Sequence, residues 1–320
     1  MKATGVIILN YNNFSDTIKC VESVEQFNTT NIKYVIVDNG STDANAVSEI
    51  KQFVEKRFQD KSLIINEGDT APSSLPYVTF LISKVNNGYA CGNNKGLKIF
   101  EKDHDIDRIL ILNNDILFVE DIIPNLINLQ DSLNDCAIMS PLLLKKDGKE
   151  FDYNCARLDP SCGKLIRTNF LMPYYWIVKK KYDLIFRKQM LLMSYTYPYP
   201  NFFAVELPSG ACMLIKKDIF KQIEYFDPNT FLYYEENILF RKIQAIGMRN
   251  YISTNSRCIH LGAVSTSKRP TPFIAKMQYN SCKYYIRTYL KPSKITYGLF
   301  RLSMLWIEMF EKIKSIIKSY

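Results

Sequence analysis

Ile109-Leu110-Ile111-Leu112-Asn113-Asn114-Asp115 is an apolar run that ends abruptly in two amides and a carboxylate. Four large aliphatic residues without polar alternation fit a strand covered on both faces, as in the parallel sheet of an α/β protein. Ligands on such sheets bind beyond the carboxyl ends of the strands, where Asp115 stands. A divalent cation held on a diphosphate needs a carboxylate so delivered, because Mg2+ or Mn2+ takes one or two protein oxygens and completes its shell with phosphate and water. By itself Asn-Asn-Asp is also a turn or helix-cap signal, so its meaning depends on what surrounds it.

Upstream, strands and helices alternate. Val6, Ile7, Ile8 and Leu9 form a short aliphatic strand, and residues 16–27 follow with helical spacing through Ile18, Val21 and Val24. Residues 34–37 repeat the strand pattern, Asp38-Asn39-Gly40-Ser41-Thr42-Asp43 ends it, and residues 46–58 read as the next helix. Three polar strand ends therefore converge: residues 10–12, 38–41 and 113–115. Residues 66–83, with Pro72 and Pro76, read as an irregular insertion. From 145 to 205 the pattern loosens, with basic residues at Lys179, Lys180, Lys181, Arg187 and Lys188 and a proline-broken aromatic stretch over 195–203. Regular periodicity resumes from Val205 to about Ser265.

The chain has 320 residues, 47% of them hydrophobic, enough for a large α/β domain with an appendage. Its net charge of +9 resides entirely in the tail, where Lys268 onward contributes 11 basic residues against Glu308 and Glu311. A neutral body argues against a nucleic-acid groove and for a local electrostatic contact at one end. Eight cysteines without a CxxC pair indicate neither a zinc knuckle nor a disulfide framework, and free thiols fit a reducing cytoplasm. Asn10 and Asn12 interrupt the first apolar run too early for a signal peptide. No run reaches the roughly 18 to 20 apolar residues of a membrane span, so the expected location is cytoplasmic, with any membrane contact peripheral.

Four segments in order carry a resemblance: residues 6–12 (Val-Ile-Ile-Leu-Asn-Tyr-Asn), 37–43 (Val-Asp-Asn-Gly-Ser-Thr-Asp), 86–96 (Asn-Asn-Gly-Tyr-Ala-Cys-Gly-Asn-Asn-Lys-Gly) and 112–115 (Leu-Asn-Asn-Asp). Further along stand Gly210-Ala211-Cys212, Phe226-Asp227, residues 231–236 (Phe-Leu-Tyr-Tyr-Glu-Glu) and residues 258–262 (Cys-Ile-His-Leu-Gly). Over roughly residues 4–266 the series resembles family 2 glycosyltransferases, and within them the bacterial rhamnosyltransferase-like members. The resemblance implies a GT-A fold: a nucleotide-sugar-binding half over 1–115, an acceptor half over 116–266 and a basic helical extension over 267–320. It implies a donor site at Asn10, Tyr11, Asp38, Asn39, Asn86, Gly88, Asn94 and Asn114, with Asp38 reading the base or ribose. Gly92 belongs to the same glycine-rich segment, which lacks the spacing of a dinucleotide or P-loop motif. Asp115 and His260 would hold Mn2+ or Mg2+, and Gly210 and Ala211 would border the acceptor.

Glu235 and Glu236 occupy the position where the family usually has Glu-Asp, which implies that one of them is the general base of an inverting transfer. Position favours Glu236, with Glu235 second; the acid that usually follows is replaced by Ile238. The implied substrates are a nucleotide hexose, dTDP-rhamnose first and UDP-hexoses as alternatives, and a lipid-linked or cell-surface glycan. A catalytically inactive sugar-binding scaffold is the competing reading. His104, among Asp103 and Asp105, reads as a solvated loop residue.

In the tail, Leu302, Leu305, Trp306, Met309, Ile313, Ile316, Ile317 and Tyr320 recur at helical spacing. They fall within an arc of about 120°, flanked or opposed by Arg301, Lys312, Lys314 and Lys318. Such a helix fits an anionic membrane surface, and it equally fits packing on the body or a seam between two copies.

Overall fold

The computed structural model of the chain describes residues 2–178, 200–262 and 272–319, with only the backbone described at 272 and 315–319. The basic cluster at 179–188, most of the aromatic stretch, Ser265 and Tyr320 lie outside the described residues. The first half alternates as its periodicity requires: β1 (Ala3–Asn10), α1 (Phe14–Phe27), β2 (Ile32–Asp38), α2 (Ala44–Phe58), β3 (Ser62–Asn66), β4 (Val78–Ile82), α3 (Gly88–Glu101) and β5 (Ile106–Asn113). Then follow β6 (Ile116–Phe118), α4 (Ile123–Ser132), β7 (Cys136–Leu144), β8 (Ala156–Arg157), α5 (Cys162–Ile177), β9 (Phe202–Val205), β10 (Leu207–Pro208) and β11 (Cys212–Lys216). The chain closes with α6 (Lys217–Gln222), α7 (Glu235–Ala245), β12 (Arg249–His260), α8 (Pro272–Tyr285), a π turn (Ile286–Leu290) and α9 (Lys294–Ser319).

One ten-stranded sheet runs β3-β4-β2-β1-β5-β11-β7-β12-β6, with β9 also paired to β12. Strands β3, β4, β2, β1 and β5 are mutually parallel, whereas β11 runs antiparallel between β5 and β7. This is the GT-A architecture, a mostly parallel sheet flanked by helices. Successive residues of each central strand enter opposite cores, as the two-residue period of a strand demands. Val6, Ile8, Leu110 and Leu112 join one cluster, while Ile7, Ile109 and Ile111 join the other.

The expectation of an irregular insertion over 66–83 is corrected at its end, because Val78–Ile82 is an interior strand parallel to both β2 and β3. Pro72 and Pro76 precede it and mask a run that is apolar but for Thr79 and buried on both faces of the sheet. The segment over 145–205 likewise contains α5, interrupted internally by Pro173.

The C-terminal helices pack on the body through a third cluster made of Cys162, Ile238, Cys282, Tyr285, Ile286 and Phe300. Two buried carboxylates tie them down. Asp159 accepts from Tyr285 Oη at 2.5 Å, from Asn237 Nδ2 at 2.6 Å and from Arg241. Asp227 accepts from Tyr284 Oη at 2.8 Å and Tyr289 Oη at 2.6 Å. Replacing Asp159 by Ala strips partners from Arg241, Asn237 and Tyr285 together. It should cost about 2–3 kcal/mol in urea denaturation and make the C-terminal helices the first site of limited proteolysis. An unchanged midpoint would show that Asp159 anchors nothing.

Candidate active site

The tips of β1 and β2 are fixed by side chains hydrogen-bonded to each other. The register pairs Asn10 with Asp38 across the two strands, and Asn10 Nδ2 donates to Asp38 Oδ1 at 2.9 Å. Thr17 Oγ1 donates to Asn10 Oδ1 at 2.9 Å, so both ends of this buried amide are engaged. Asp38 also accepts from Ser41 N and Ser41 Oγ, so its carboxylate caps its own turn. Tyr11, next in the chain, is exposed.

The glycine-rich segment continues this wall. Asn39 Nδ2 donates to Asn86 Oδ1 and to Gly88 O, both at 3.0 Å, and leaves its buried Oδ1 without a partner. Gly88 has φ +87°, and a Cβ there would lie 2.1 Å from Phe231 O, so only glycine allows this approach. Asn94 turns to the opposite wall, where its amide brackets Phe226 by donating to O at 2.8 Å and accepting from N at 3.1 Å. Asn114 Nδ2 donates to Thr17 Oγ1 at 3.0 Å and to Asn13 O at 3.3 Å.

Asp115 follows β5 and is buried, with Oδ1 unpartnered and Oδ2 3.3 Å from His260 Nε2. The pairing of His260 with Ile116 and the hydrogen bond from Leu261 N to Asp115 O bring these distant residues together. The other imidazole nitrogen, Nδ1, lies 2.9 Å from Asp152 Oδ2. Burial opposes charging of His260, but Asp115 and Asp152 outweigh it and raise its pKa to about 9. Burial pushes Asp152 upward, and hydrogen bonds from His260 and Asn154 N overcome it to hold its pKa below the usual aspartate value.

Among the described residues, no group of three or more His, Cys, Asp or Glu side chains is arranged to hold a metal ion alone. Asp115, with one carboxylate oxygen buried and unpartnered, and His260, once a cation displaces its Nε2 proton, nevertheless fit a metal that takes its remaining ligands from a diphosphate and water. Asp152 stands where an outer carboxylate orients a ligating histidine.

Glu235 and Glu236 open α7 after Tyr233 and Tyr234, both left-handed at φ +70° and +69°. Two consecutive aromatic residues there cost on the order of 1–2 kcal/mol each, a strain of the kind that gathers at functional sites. The turn separates the two carboxylates. Glu235 is buried, with Oε1 unpartnered, whereas Glu236 is partly exposed. Glu236 Oε1 accepts from Gly210 N at 3.2 Å and lies 3.3 Å from Arg157 Nη2. Gly210 O accepts from Tyr89 Oη at 2.7 Å, and Ala211 O accepts from Asn113 N at 2.8 Å. Gly210-Ala211 thus bridges the β5 tip and Glu236.

Residues 5–223 match the family described as Glycosyl transferase family 2. The chain belongs to this family. It is similar to the low-salt glycan biosynthesis hexosyltransferase Agl10 of Haloferax volcanii, 25% identical over 232 residues that cover 72% of this chain and 58% of the relative. A second relative is the N-acetylglucosaminyl-diphospho-decaprenol L-rhamnosyltransferase of Mycobacterium tuberculosis, 22% identical over 253 residues, 76% of this chain and 71% of that one. The fold is shared with GalNAc-T7, solved with UDP, GalNAc and Mn2+, at a TM-score of 0.58 and 13% identity, over 91% of this chain and 49% of that one.

Ile238, three residues after Glu235, is buried in the cluster that docks the C-terminal helices. Asp152, Arg157 and Asp159 lie in the stretch whose pattern loosens, and no motif or spacing in the sequence marked them.

Burial, then the neighbouring Glu236, raises Glu235 from the ordinary value of 4.5 to about 8. The folded state therefore holds a proton that the unfolded chain releases. The resulting stability is full below pH 4.5 and is lost as pH rises towards and through 8, with a slope up to about 1.4 kcal/mol per pH unit. Glu235→Gln should flatten this dependence and melt higher than the wild type at alkaline pH. Parallel pH profiles in chemical denaturation would refute the buried, protonated carboxyl.

Proposed function

We propose that the protein is an inverting, metal-dependent glycosyltransferase that moves a hexose from a nucleotide sugar to a glycan acceptor. The observation that carries this reading is that Gly210-Ala211 bonds both Glu236 and Asn113, two residues before the Asp115 that pairs with His260. Residues 1–115 form the donor half and 116–266 the acceptor half, with 267–320 as a helical extension. Asn10, Asp38, Asn39, Asn86 and Gly88 shape the donor wall, Tyr11 is its exposed member, and Asn94 and Asn114 brace it. Mn2+ or Mg2+ bound at Asp115 and His260 would neutralise charge on the departing diphosphate.

Glu236 accepts the proton of the acceptor hydroxyl as its oxygen bonds to the anomeric carbon and the bond to the diphosphate breaks on the opposite face. Arg157 and Gly210 N–H hold that carboxylate in place. Glu235, protonated near neutral pH, is a poorer base. Relatives named for hexosyl and L-rhamnosyl transfer support a hexose, with dTDP-rhamnose the first donor to test and UDP-hexoses next. The relative named for a decaprenol-linked substrate supports a lipid-linked acceptor. The site of action we assign is the cytoplasm, at the inner face of the membrane.

A screen of nucleotide sugars for thermal stabilisation, with and without Mn2+, identifies the donor, because only ligands that bind the folded state raise the melting temperature. Asp115→Asn should abolish both transfer and the metal dependence of nucleoside diphosphate binding while leaving the fold intact. Unchanged turnover would overturn the metal assignment. Glu236→Gln should lower kcat by about 10²- to 10⁴-fold with donor affinity nearly unchanged. A larger loss in Glu235→Gln would transfer the role of base to Glu235.

A further inference from the structure

α9 packs beside α5, and the contacts define which side of each helix is turned inward. Asn169 Nδ2 donates to Ser303 Oγ at 3.0 Å, and the rings of Trp176 and Phe310 meet edge to face at 5.9 Å. Phe300 and Ser303 are buried on this side. The apolar stripe of α9 lies elsewhere on the helix: Leu302, Leu305, Trp306, Met309 and Ile313 are 37–57% exposed. α5 adds Phe170, Leu171, Tyr174 and Ile177, all exposed. Uncovered apolar residues gathered on two packed helices mark an interaction surface rather than scattered surface variation.

Charge selects the partner. α5 contains Lys164 and Arg167 and no acid, while α9 contains five basic residues against Glu308 and Glu311. At about 100° per residue, Lys294, Arg301 and Lys312 fall along one side of α9 bordering the stripe near Leu305, with Glu308 beside them, and all four are exposed, so this border has an excess of cations. Glu311 is held by Lys314 at 2.7 Å. Pairing of this face with its own copy would bring two borders of net positive charge together, whereas anionic headgroups would neutralise the excess as the apolar side chains enter the layer below. Among the described residues, no helix is long and apolar enough to cross a membrane; an exposed apolar stripe bordered by cations is suited to lie in the plane of one.

We infer that α5 and α9 together form a platform that seats the protein in the headgroup layer of an anionic membrane. Flotation of the full chain with phosphatidylcholine vesicles, with and without phosphatidylglycerol, tests this. Binding should be about tenfold or more tighter to the anionic vesicles and should weaken with salt. The emission of Trp306, one of two tryptophans, should shift to the blue on binding. Leu302→Ser, Leu305→Ser and Ile313→Ser combined should lower partitioning by about tenfold or more without lowering the melting temperature. Lys294→Gln, Arg301→Gln and Lys312→Gln combined should remove the preference for phosphatidylglycerol, and Phe170→Ser with Tyr174→Ser should weaken binding to both vesicles.

Absence of wild-type binding, or equal binding by the serine variant, would overturn the platform. A dimer in sedimentation that Leu305→Ser dissolves would make the face a seam between copies instead. The vesicles contain neither donor nor acceptor, so failure here leaves the transferase reading intact, and the Glu236→Gln protein should float like the wild type.

Discussion

The site depends on the antiparallel pairing of β11 with β5. Cys212 opposite Leu112 carries Ala211 and Gly210 beyond the strand end, and Ala211 O receives Asn113 N at 2.8 Å. Ala211 is thereby joined to Asn113, two residues before Asp115, and Glu236 reaches the adjacent Gly210 N from the start of α7. A slip of one residue would reverse the face of every β11 side chain and separate the two carboxylates. The buried, alternating cores on the two sheet faces oppose such a slip, because Met213 and Ile215 belong to one cluster and Leu214 to the other.

Polar side chains at the strand tips divide into those that hold the backbone and those left with capacity for a ligand. Asn10, Asp38, Asn94 and Asn114 are engaged with protein partners. Asp115 Oδ1, Asn39 Oδ1 and Glu235 Oε1 are buried without one. Leaving a buried acceptor unpaired costs on the order of 1–3 kcal/mol, a cost that a bound ligand at these strand tips would relieve. For Glu235, burial and the neighbouring Glu236 favour the neutral carboxyl, which lowers the cost of its burial and sets it apart from the more accessible Glu236.

The C-terminal helices are connected to the site through a short chain of contacts. Asn237 and Arg241 on α7 share the Asp159 carboxylate with Tyr285 of α8, and Ile238 packs against Tyr285 and Phe300. The helix that presents Glu236 is thus held from behind by Asp159, inside the matched family region of 5–223, together with Tyr285 and Phe300, outside it. The same extension carries the exposed apolar stripe, so the surface we assign to the membrane belongs to the segment that packs behind the helix presenting Glu236.

Local sequence determined the alternation of strands and helices, the strand-tip positions of Asn10, Asp38 and Asp115, and the family, because these depend on short-range periodicity and ordered motifs. It misread residues 78–82, since a strand buried on both faces has no alternation and follows two prolines. Tertiary structure alone decided that Asp152 backs His260, that Asp159 gathers Asn237, Arg241 and Tyr285, and that Glu235 is buried beside a solvent-reaching Glu236. It also decided which side of α9 faces outward. The reason is the same in each case: these facts depend on contacts between segments tens of residues apart, and on desolvation that arises only when those segments pack, neither of which leaves a periodic trace in the chain.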